Sequence, residues 1–118
     1  PDRVKKVWDV CLSELDSRVL AGHFHNTYGM AIANIYQSLQ QGIRIFDSSI
    51  AGLGGCPYAK GAAGNVATED LYYLLSHMGF ETGINLEALM QASRNISQLL
   101  QCNNPSNYAQ AYWQSHPA

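Results

Sequence analysis

Hydrophobic residues in this chain alternate between helical spacing and short continuous runs. Helical spacing over residues 2–16, and again up to Gln41, predicts two amphipathic helices. Apolar runs within residues 18–24 and 43–46 are too brief for helices and predict strands buried on both faces. Two more helical patterns follow residue 65 and break at Gly79 and at residues 103–105. The pattern over residues 106–115 is compatible with a last short helix.

Capping residues mark the ends of these elements. Asn26 or Thr27 is suited to start the second helix, and Gly42 to end it in a left-handed conformation. Thr68 and Asn85 are expected to cap the two helices that follow.

The apolar stripes facing the core are predicted to include Val4, Val7, Trp8, Cys11, Leu12 and Leu15 in the first helix, Leu71, Leu74, Leu75 and Met78 in the third, and Leu86, Leu89, Met90, Ser93, Ile96 and Leu100 in the fourth.

The order α-β-α-β-α-α implies βαβ units and a parallel sheet, so the fold class is α/β. Two strands are too few for a stable sheet, because both edges stay open and little core is enclosed. We therefore expect either a piece of a larger α/β fold or several copies that complete the sheet together.

Composition narrows the class of protein. The chain has 118 residues, 47% of them hydrophobic and 14% charged, which is typical of one globular domain and not of a disordered chain. A net charge of -2 gives no basic surface for nucleic acid, and no apolar run reaches the ~20 residues of a membrane span. The odd, widely spaced cysteines Cys11, Cys56 and Cys102 argue against a disulfide framework and for a reducing compartment.

A glycine-rich loop follows the second strand, between residues 47 and 65. It holds half of the glycines in the chain, and Cys56 lies near its middle, between Gly55 and Pro57. Such a loop is suited to wrap or cover a ligand, and a thiol in it is a candidate reactive group. The alternatives are a plain surface connection and an incidental exposed cysteine. The glycine spacing is not that of a dinucleotide-binding loop, because Pro57 occupies the third position.

Two histidines and an asparagine are candidate metal ligands. His23 and His25 lie two apart at the end of the first strand, a spacing that places both imidazoles on one face. Asn65 follows the glycine loop, and its amide oxygen suits a hard divalent cation. The alternatives are local hydrogen bonds for the histidines, a capping role for Asn65, and a Zn²⁺ ion held by His23, His25 and Cys56. A Cys-His-Asn protease is disfavoured, because Cys56 lies in a loop and not at a helix start.

Two longer segments indicate a protein family more specifically than these residue spacings do. The segment from His23 to Gly29, and the segment from Asp47 to Asp70 with its GGCPYA and GN-x-ATED motifs, strongly resemble the 3-hydroxy-3-methylglutaryl-CoA lyase family. The resemblance runs from about residue 3 to about residue 100, and the tail after Cys102 is not matched.

The resemblance implies a C-terminal fragment of a (β/α)8 TIM barrel, with the last βα units in residues 1–80 and C-terminal helices in residues 81–118. It also implies that His23, His25 and Asn65 bind Mg²⁺ or Mn²⁺, and that Cys56 and His23 act in catalysis. The implied reaction is the retro-Claisen cleavage of 3-hydroxy-3-methylglutaryl-CoA to acetyl-CoA and acetoacetate. The family's mobile signature loop corresponds to Gly52, Gly54, Gly55, Cys56, Pro57 and Tyr58.

The sequence departs from the family pattern in two places. Asn26 stands where the family has an aspartate, so a carboxylate that orients a ligand histidine is expected to be lost. The Arg-Asp pair that the family places on its first strand has no counterpart here, since Asp2-Arg3 has the reverse order and lies in a helix. The chain alone is therefore expected to be inactive.

Two alternative functions stay open: a related metal-dependent aldolase or lyase with another acyl substrate, and a non-catalytic assembly piece. The expected partners are an acyl-CoA substrate and further copies of the chain, without nucleic acid or membrane. The expected location is the bacterial cytoplasm or the mitochondrial matrix.

Overall fold

The computed structural model describes residues 1–55 and 61–116, and the predictions made for Cys56, Pro57 and Tyr58 fall outside these ranges. The helices are α1 (Asp2–Glu14), α2 (Ala31–Gln40), α3 (Thr68–His77), α4 (Leu86–Leu99) and α5 (Asn107–Ser115), and the strands are β1 (Ala21–His23) and β2 (Ile45–Asp47). Short 3₁₀ turns cover Ser17–Val19, Thr27–Gly29 and Ile50–Gly52. The predicted order of helices and strands is confirmed.

The strands β1 and β2 form a two-stranded parallel sheet, with α2 as the crossover between them. In the register of the sheet, Ala21 pairs with Ile45 and His23 pairs with Asp47. The prediction that both strands are buried on two faces is wrong: Ala21, His23 and Ile45 are exposed, and only Gly22 is buried. The physical reason is that a sheet of two strands leaves its edges and much of one face uncovered.

The core lies between α2, α3 and the segment that enters α3. Its centre is a cluster of buried apolar side chains: Ala31, Ile35, Leu39, Val66 and Leu71. The predicted stripe of α3 packs here, because Leu74, Leu75 and Met78 contact this cluster. Helix α1 is attached through Trp8, whose Nε1 donates to the buried Ser38 Oγ at 2.7 Å. Of the predicted apolar face of the first helix, Trp8 is buried, Val4, Cys11 and Leu12 are half-buried, and Val7 and Leu15 are more than half exposed, so that face is only partly covered.

The helix ends follow the sequence signals in part. Gly42 and Gly79 adopt the left-handed conformation after α2 and α3, and the Asn85 side chain accepts from Ala88 N at 2.9 Å to cap α4. Helix α2 starts later than predicted, yet Asn26 Oδ1 accepts from Ala31 N at 3.2 Å and so bonds to its first turn. The cap predicted at Thr68 is wrong, because its hydroxyl bonds to Ser48 Oγ instead.

The C-terminal helices are joined to the rest by two acidic residues at the start of α3. The buried Glu69 carboxylate accepts from Ala51 N and from Ser93 Oγ of α4. Asp70 accepts from Tyr108 N at the first turn of α5 and from the Ser106 hydroxyl. Within the described ranges, no helix is both long and apolar enough to cross a membrane, and Cys11 and Cys102 are free thiols.

Candidate metal centre

The end of β1 brings the two candidate histidines together. His23 is the last residue of the strand, and His25 lies two residues on in an isolated bridge. Their ring centroids are 5.4 Å apart with the planes tilted by 58°. This spacing agrees with the separation expected for alternate residues of an extended segment. The two imidazoles are therefore near enough to bind one ion together.

Asn65 reaches the same place from the far end of the glycine loop. It forms an antiparallel bridge with His25, and the backbone is fixed on both sides. Gly64 O accepts from Asn26 N at 2.9 Å, and Val66 N donates to Phe24 O at 3.0 Å. The loop thus returns alongside the segment that carries the histidines. The three residues chosen from the sequence as metal ligands lie in adjoining segments.

Each histidine is held by a hydrogen bond from the same ring nitrogen. His23 Nδ1 lies 3.2 Å from Asp47 Oδ2, and His25 Nδ1 lies 3.0 Å from the Ala63 carbonyl oxygen. Both partners are pure acceptors, so in each neutral ring Nδ1 carries the proton. Nε2 then keeps its lone pair, which is the form of imidazole that binds metals.

The Asn65 side chain contains a buried amide oxygen. Its Nδ2 donates to Leu53 O at 2.9 Å, which fixes the orientation of the amide, while Oδ1 is buried and has no hydrogen-bond partner within residues 1–55 and 61–116. Leaving such an acceptor unpaired costs about 1–3 kcal/mol. Gly54 allows this arrangement, because a Cβ at that position would lie 2.6 Å from Asn65 Nδ2.

These observations fit a hard divalent cation. Amide oxygens are good ligands for Mg²⁺, Mn²⁺ and related ions, and neutral imidazole is the commonest side-chain ligand of metal ions in general. Two imidazoles and one amide are fewer than the six ligands that Mg²⁺ takes, so water, substrate or further protein groups must supply the others. Among residues 1–55 and 61–116, no three His, Cys, Asp or Glu side chains are grouped as a complete metal site.

Sequence reasoning missed the groups that hold these candidate ligands. The sequence identifies Asp47 only as the first residue of the glycine loop, whereas the sheet register places it directly opposite His23. Because parallel strands end at the same edge, a polar residue at the end of the second predicted strand was a usable signal. The sequence predicts that Asn26 does not orient a histidine as an aspartate would. In the structure, Asn26 Oδ1 accepts from Ala31 N instead. Cys56 lies outside the described residues, and its place relative to the metal ligands stays a prediction.

The sequence of this chain is similar to that of a known family of proteins. The family model described as HMGL-like matches residues 1–96. The hydroxymethylglutaryl-CoA lyase of Pseudomonas mevalonii is 55% identical over 106 residues, which are 90% of this chain and 35% of the relative. The mitochondrial hydroxymethylglutaryl-CoA lyase of Bos taurus is 49% identical over 111 residues, 94% of this chain and 34% of that protein.

Solved structures give the same result. The crystal structure of hydroxymethylglutaryl-CoA lyase from Pseudomonas aeruginosa superimposes with a TM-score of 0.91 at 49% identity, covering 97% of this chain and 38% of that one. A lyase from Acinetobacter baumannii, solved in complex with coenzyme A and 3-methylmalate, superimposes with a TM-score of 0.88 at 42% identity, covering 94% of this chain and 36% of that one. This chain therefore spans about a third of the length of the relatives it matches, and it folds as part of a TIM barrel, with two parallel strands and five helices in the described residues.

Proposed function

This chain belongs to the HMGL-like family, and on that premise we propose that it forms the C-terminal part of a lyase that cleaves 3-hydroxy-3-methylglutaryl-CoA to acetyl-CoA and acetoacetate. The observation that carries the proposal is the buried Oδ1 of Asn65, which has no hydrogen-bond partner among the described residues and belongs to a residue bridged to His25, whose ring lies 5.4 Å from that of His23. A lyase of this kind needs a divalent cation, and this trio supplies a suitable set of ligands.

His23, His25 and Asn65 are the residues that would hold Mg²⁺ or Mn²⁺. When bound, the cation would attract the hydroxyl and carboxylate oxygens of the substrate and favour loss of the hydroxyl proton. The chain's own contribution is to hold the three ligands in place before the substrate arrives. Asn65 is fixed through Leu53 O and His25 through Ala63 O, so the backbone at both ends of the glycine loop takes part.

The bond changes define what else the site must do. The substrate's C3 hydroxyl loses a proton, C3 becomes the ketone of acetoacetate, and the C2–C3 electron pair passes to the thioester fragment as an enolate. That enolate takes up one proton at carbon to give acetyl-CoA. We assign the proton donor to Cys56, either directly or through a water, and a proton-transfer role to His23 in addition to metal binding. Closure of the loop that contains Cys56 would keep bulk water from the enolate.

We propose that this chain does not form the complete metal and substrate site by itself. It contains no arginine directly followed by aspartate, the pair that the family is expected to use for the enolate and as a further metal ligand. The uncovered strands support the same conclusion, because Ala21, His23 and Ile45 face solvent where a barrel would continue. The remaining two-thirds of a relative should supply what this chain does not.

Complementation tests the function directly. The chain is mixed with the separately produced N-terminal two-thirds of the Pseudomonas mevalonii lyase, and acetoacetate formation from 3-hydroxy-3-methylglutaryl-CoA is followed with and without Mn²⁺. We expect no turnover from either part alone, and Mn²⁺-dependent turnover from the mixture. Cys56→Ala and Asn65→Ala should abolish it, while Asn85→Ala, which alters only the α4 cap, should not.

Two results would contradict the proposal. Turnover by the chain alone at an ordinary enzyme rate, on the order of 1–10³ s⁻¹, would show that the site is not shared with other segments. Cleavage of a different acyl substrate by the mixture, without cleavage of 3-hydroxy-3-methylglutaryl-CoA, would favour a related aldolase or lyase.

The isolated chain should also associate with copies of itself, and an acyl-CoA is its expected small-molecule partner. In the described part of the chain the sheet has two open edges, and Val7, Val10 and Val19 are each more than half exposed. Light scattering should therefore detect dimers or larger species, and a monodisperse monomer would contradict this expectation. Relatives occur in bacteria and in mitochondria, so we place the protein in the bacterial cytoplasm or the mitochondrial matrix.

A further inference from the structure

We propose that Asp47 is a positioning residue, which holds His23 in the tautomer and ring orientation that metal binding requires. The proposal rests on the proposed function, because it gives His23 its role as a ligand. Asp47 would not touch the metal or the substrate. It would act through His23 by accepting the proton-bearing Nδ1, so that the lone pair of Nε2 is directed toward the site.

The sheet register makes this contact possible. His23 and Asp47 are paired positions at the last step of the parallel strands β1 and β2. Their side chains leave the same end of the sheet, and Asp47 Oδ2 comes within 3.2 Å of His23 Nδ1. Asp47 therefore has a geometric reason to contact the ring, which a residue elsewhere in the glycine loop would not have.

The other acidic or amide side chain near His23 in sequence does not compete for this role. Asn26 Oδ1 accepts from Ala31 N at the start of α2. His25 has its own acceptor, the Ala63 carbonyl, and Asn65 is fixed by the Leu53 carbonyl. In the part of the chain that the structure describes, His23 is the one proposed ligand that is held by a side chain. This is the position where a substitution can remove the orienting group without disturbing the backbone.

A simpler reading is that His23 and Asp47 form an incidental surface pair. Both side chains are more than half exposed, and exposed pairs add little to stability. The two readings differ in what they predict for the ring. An incidental pair leaves the tautomer of His23 unimportant for metal binding, whereas a positioning residue fixes Nδ1–H and thereby sets Mn²⁺ affinity.

The first measurement uses the metal-free chain at about pH 8, above the ordinary imidazole pKa. Nitrogen-15 NMR of the ring nitrogens distinguishes the Nδ1–H from the Nε2–H tautomer, and a His23→Asn variant assigns the signals. We expect Nδ1–H for His23 in the unaltered chain. Asp47→Ala should shift it toward Nε2–H, the form that free imidazole side chains prefer in water, and Asp47→Asn should give a mixture.

The matched control is Asp9→Asn, which removes another exposed, ion-paired carboxylate that contacts Lys5 and Gln41 but neither histidine. His77 and His116 serve as internal references, since each Nδ1 atom bonds to the backbone carbonyl four residues earlier. None of these signals should change in the Asp47 variants. Circular dichroism of each variant verifies that the fold is retained.

The second measurement is Mn²⁺ affinity by electron paramagnetic resonance. Asp47→Ala should bind Mn²⁺ about 10- to 100-fold more weakly, and Asp9→Asn should bind as the unaltered chain does. An Nε2–H tautomer in the unaltered chain, or equal Mn²⁺ affinity with and without the Asp47 carboxylate, would overturn the positioning role. If neither the unaltered chain nor its mixture with the N-terminal two-thirds of the Pseudomonas mevalonii lyase binds Mn²⁺, the proposed function fails at its metal site, and the NMR result still decides whether Asp47 orients the ring.

Discussion

Glu69 should be the most sensitive single position for stability among the described residues. Its side chain is fully buried, and its two carboxylate oxygens accept from Ala51 N at 2.9 and 3.1 Å. It also accepts from the Ser93 hydroxyl, and Asn104 Nδ2 donates to Ser93 Oγ at 2.7 Å. The carboxylate thus joins the start of the glycine loop to α4 and to the turn before α5.

The magnitude follows from what Glu69→Ala would leave behind. The Ala51 N–H and the Ser93 hydroxyl would both be buried without this acceptor, and each unpaired group costs about 1–3 kcal/mol. Ala51 also holds a left-handed backbone with φ of 55°, and the hydrogen bonds from its N–H help to keep that conformation. For these two groups together, we expect a loss of about 2–6 kcal/mol in the free energy of unfolding.

Urea unfolding followed by circular dichroism measures this loss. With a slope of about 2 kcal/mol per molar urea, the midpoint should fall by about 2 M at an unchanged slope. The matched control is Glu87→Ala, an exposed carboxylate that also lies in the first turn of its helix, for which the loss should stay below about 1 kcal/mol. Equal midpoints for the two variants would refute the reasoning, because burial and hydrogen bonding would then have no effect.

Three further predictions follow from single contacts. Gly64→Ala should destabilise the chain by about 1–3 kcal/mol in urea unfolding, because a Cβ there would overlap a backbone carbonyl, whereas a Cβ at Gly55 would meet no atom of the described residues, so Gly55→Ala should be neutral; equal effects would contradict this. Trp8→Phe should cost about 1 kcal/mol by removing the hydrogen bond to Ser38 Oγ, and a neutral result would show that the bond adds nothing. Burial raises the pKa of the Tyr108 phenol. The stability that the neutral phenol contributes is therefore complete below its unfolded pKa of about 10 and is lost as the pH rises through its folded pKa. Tyr108→Phe should flatten the decline of the urea midpoint at alkaline pH, and an unchanged decline would contradict this.

Local signals were the most readable part of the sequence. Gly42 and Gly79 ended their helices and Asn85 capped α4 as predicted, because these effects depend on the residue and its neighbours along the chain. The burial of the strands was predicted wrongly for a non-local reason. An apolar run predicts burial in a complete sheet, whereas among the described residues β1 pairs with β2 alone.

At the candidate site, too, the sequence predicted local features but not contacts between distant segments. His23, His25 and Asn65 were found from spacing and from the family motifs, and the fold brings them into adjoining segments. Nothing near Glu69 in the sequence reveals that Ala51 and Ser93 contact its carboxylate. Such pairs depend on how distant segments pack, which hydrophobic periodicity does not specify.

Mn²⁺ binding to the purified chain tests the central claim most directly. Titration followed by electron paramagnetic resonance should give one Mn²⁺ per chain, and binding should be lost in Asn65→Ala and in His25→Ala. Asn85→Ala should bind normally, because that asparagine caps α4 and its oxygen is already paired with Ala88 N. Equal Mn²⁺ binding by the unaltered chain and by Asn65→Ala would contradict the assignment of the buried amide oxygen as a metal ligand.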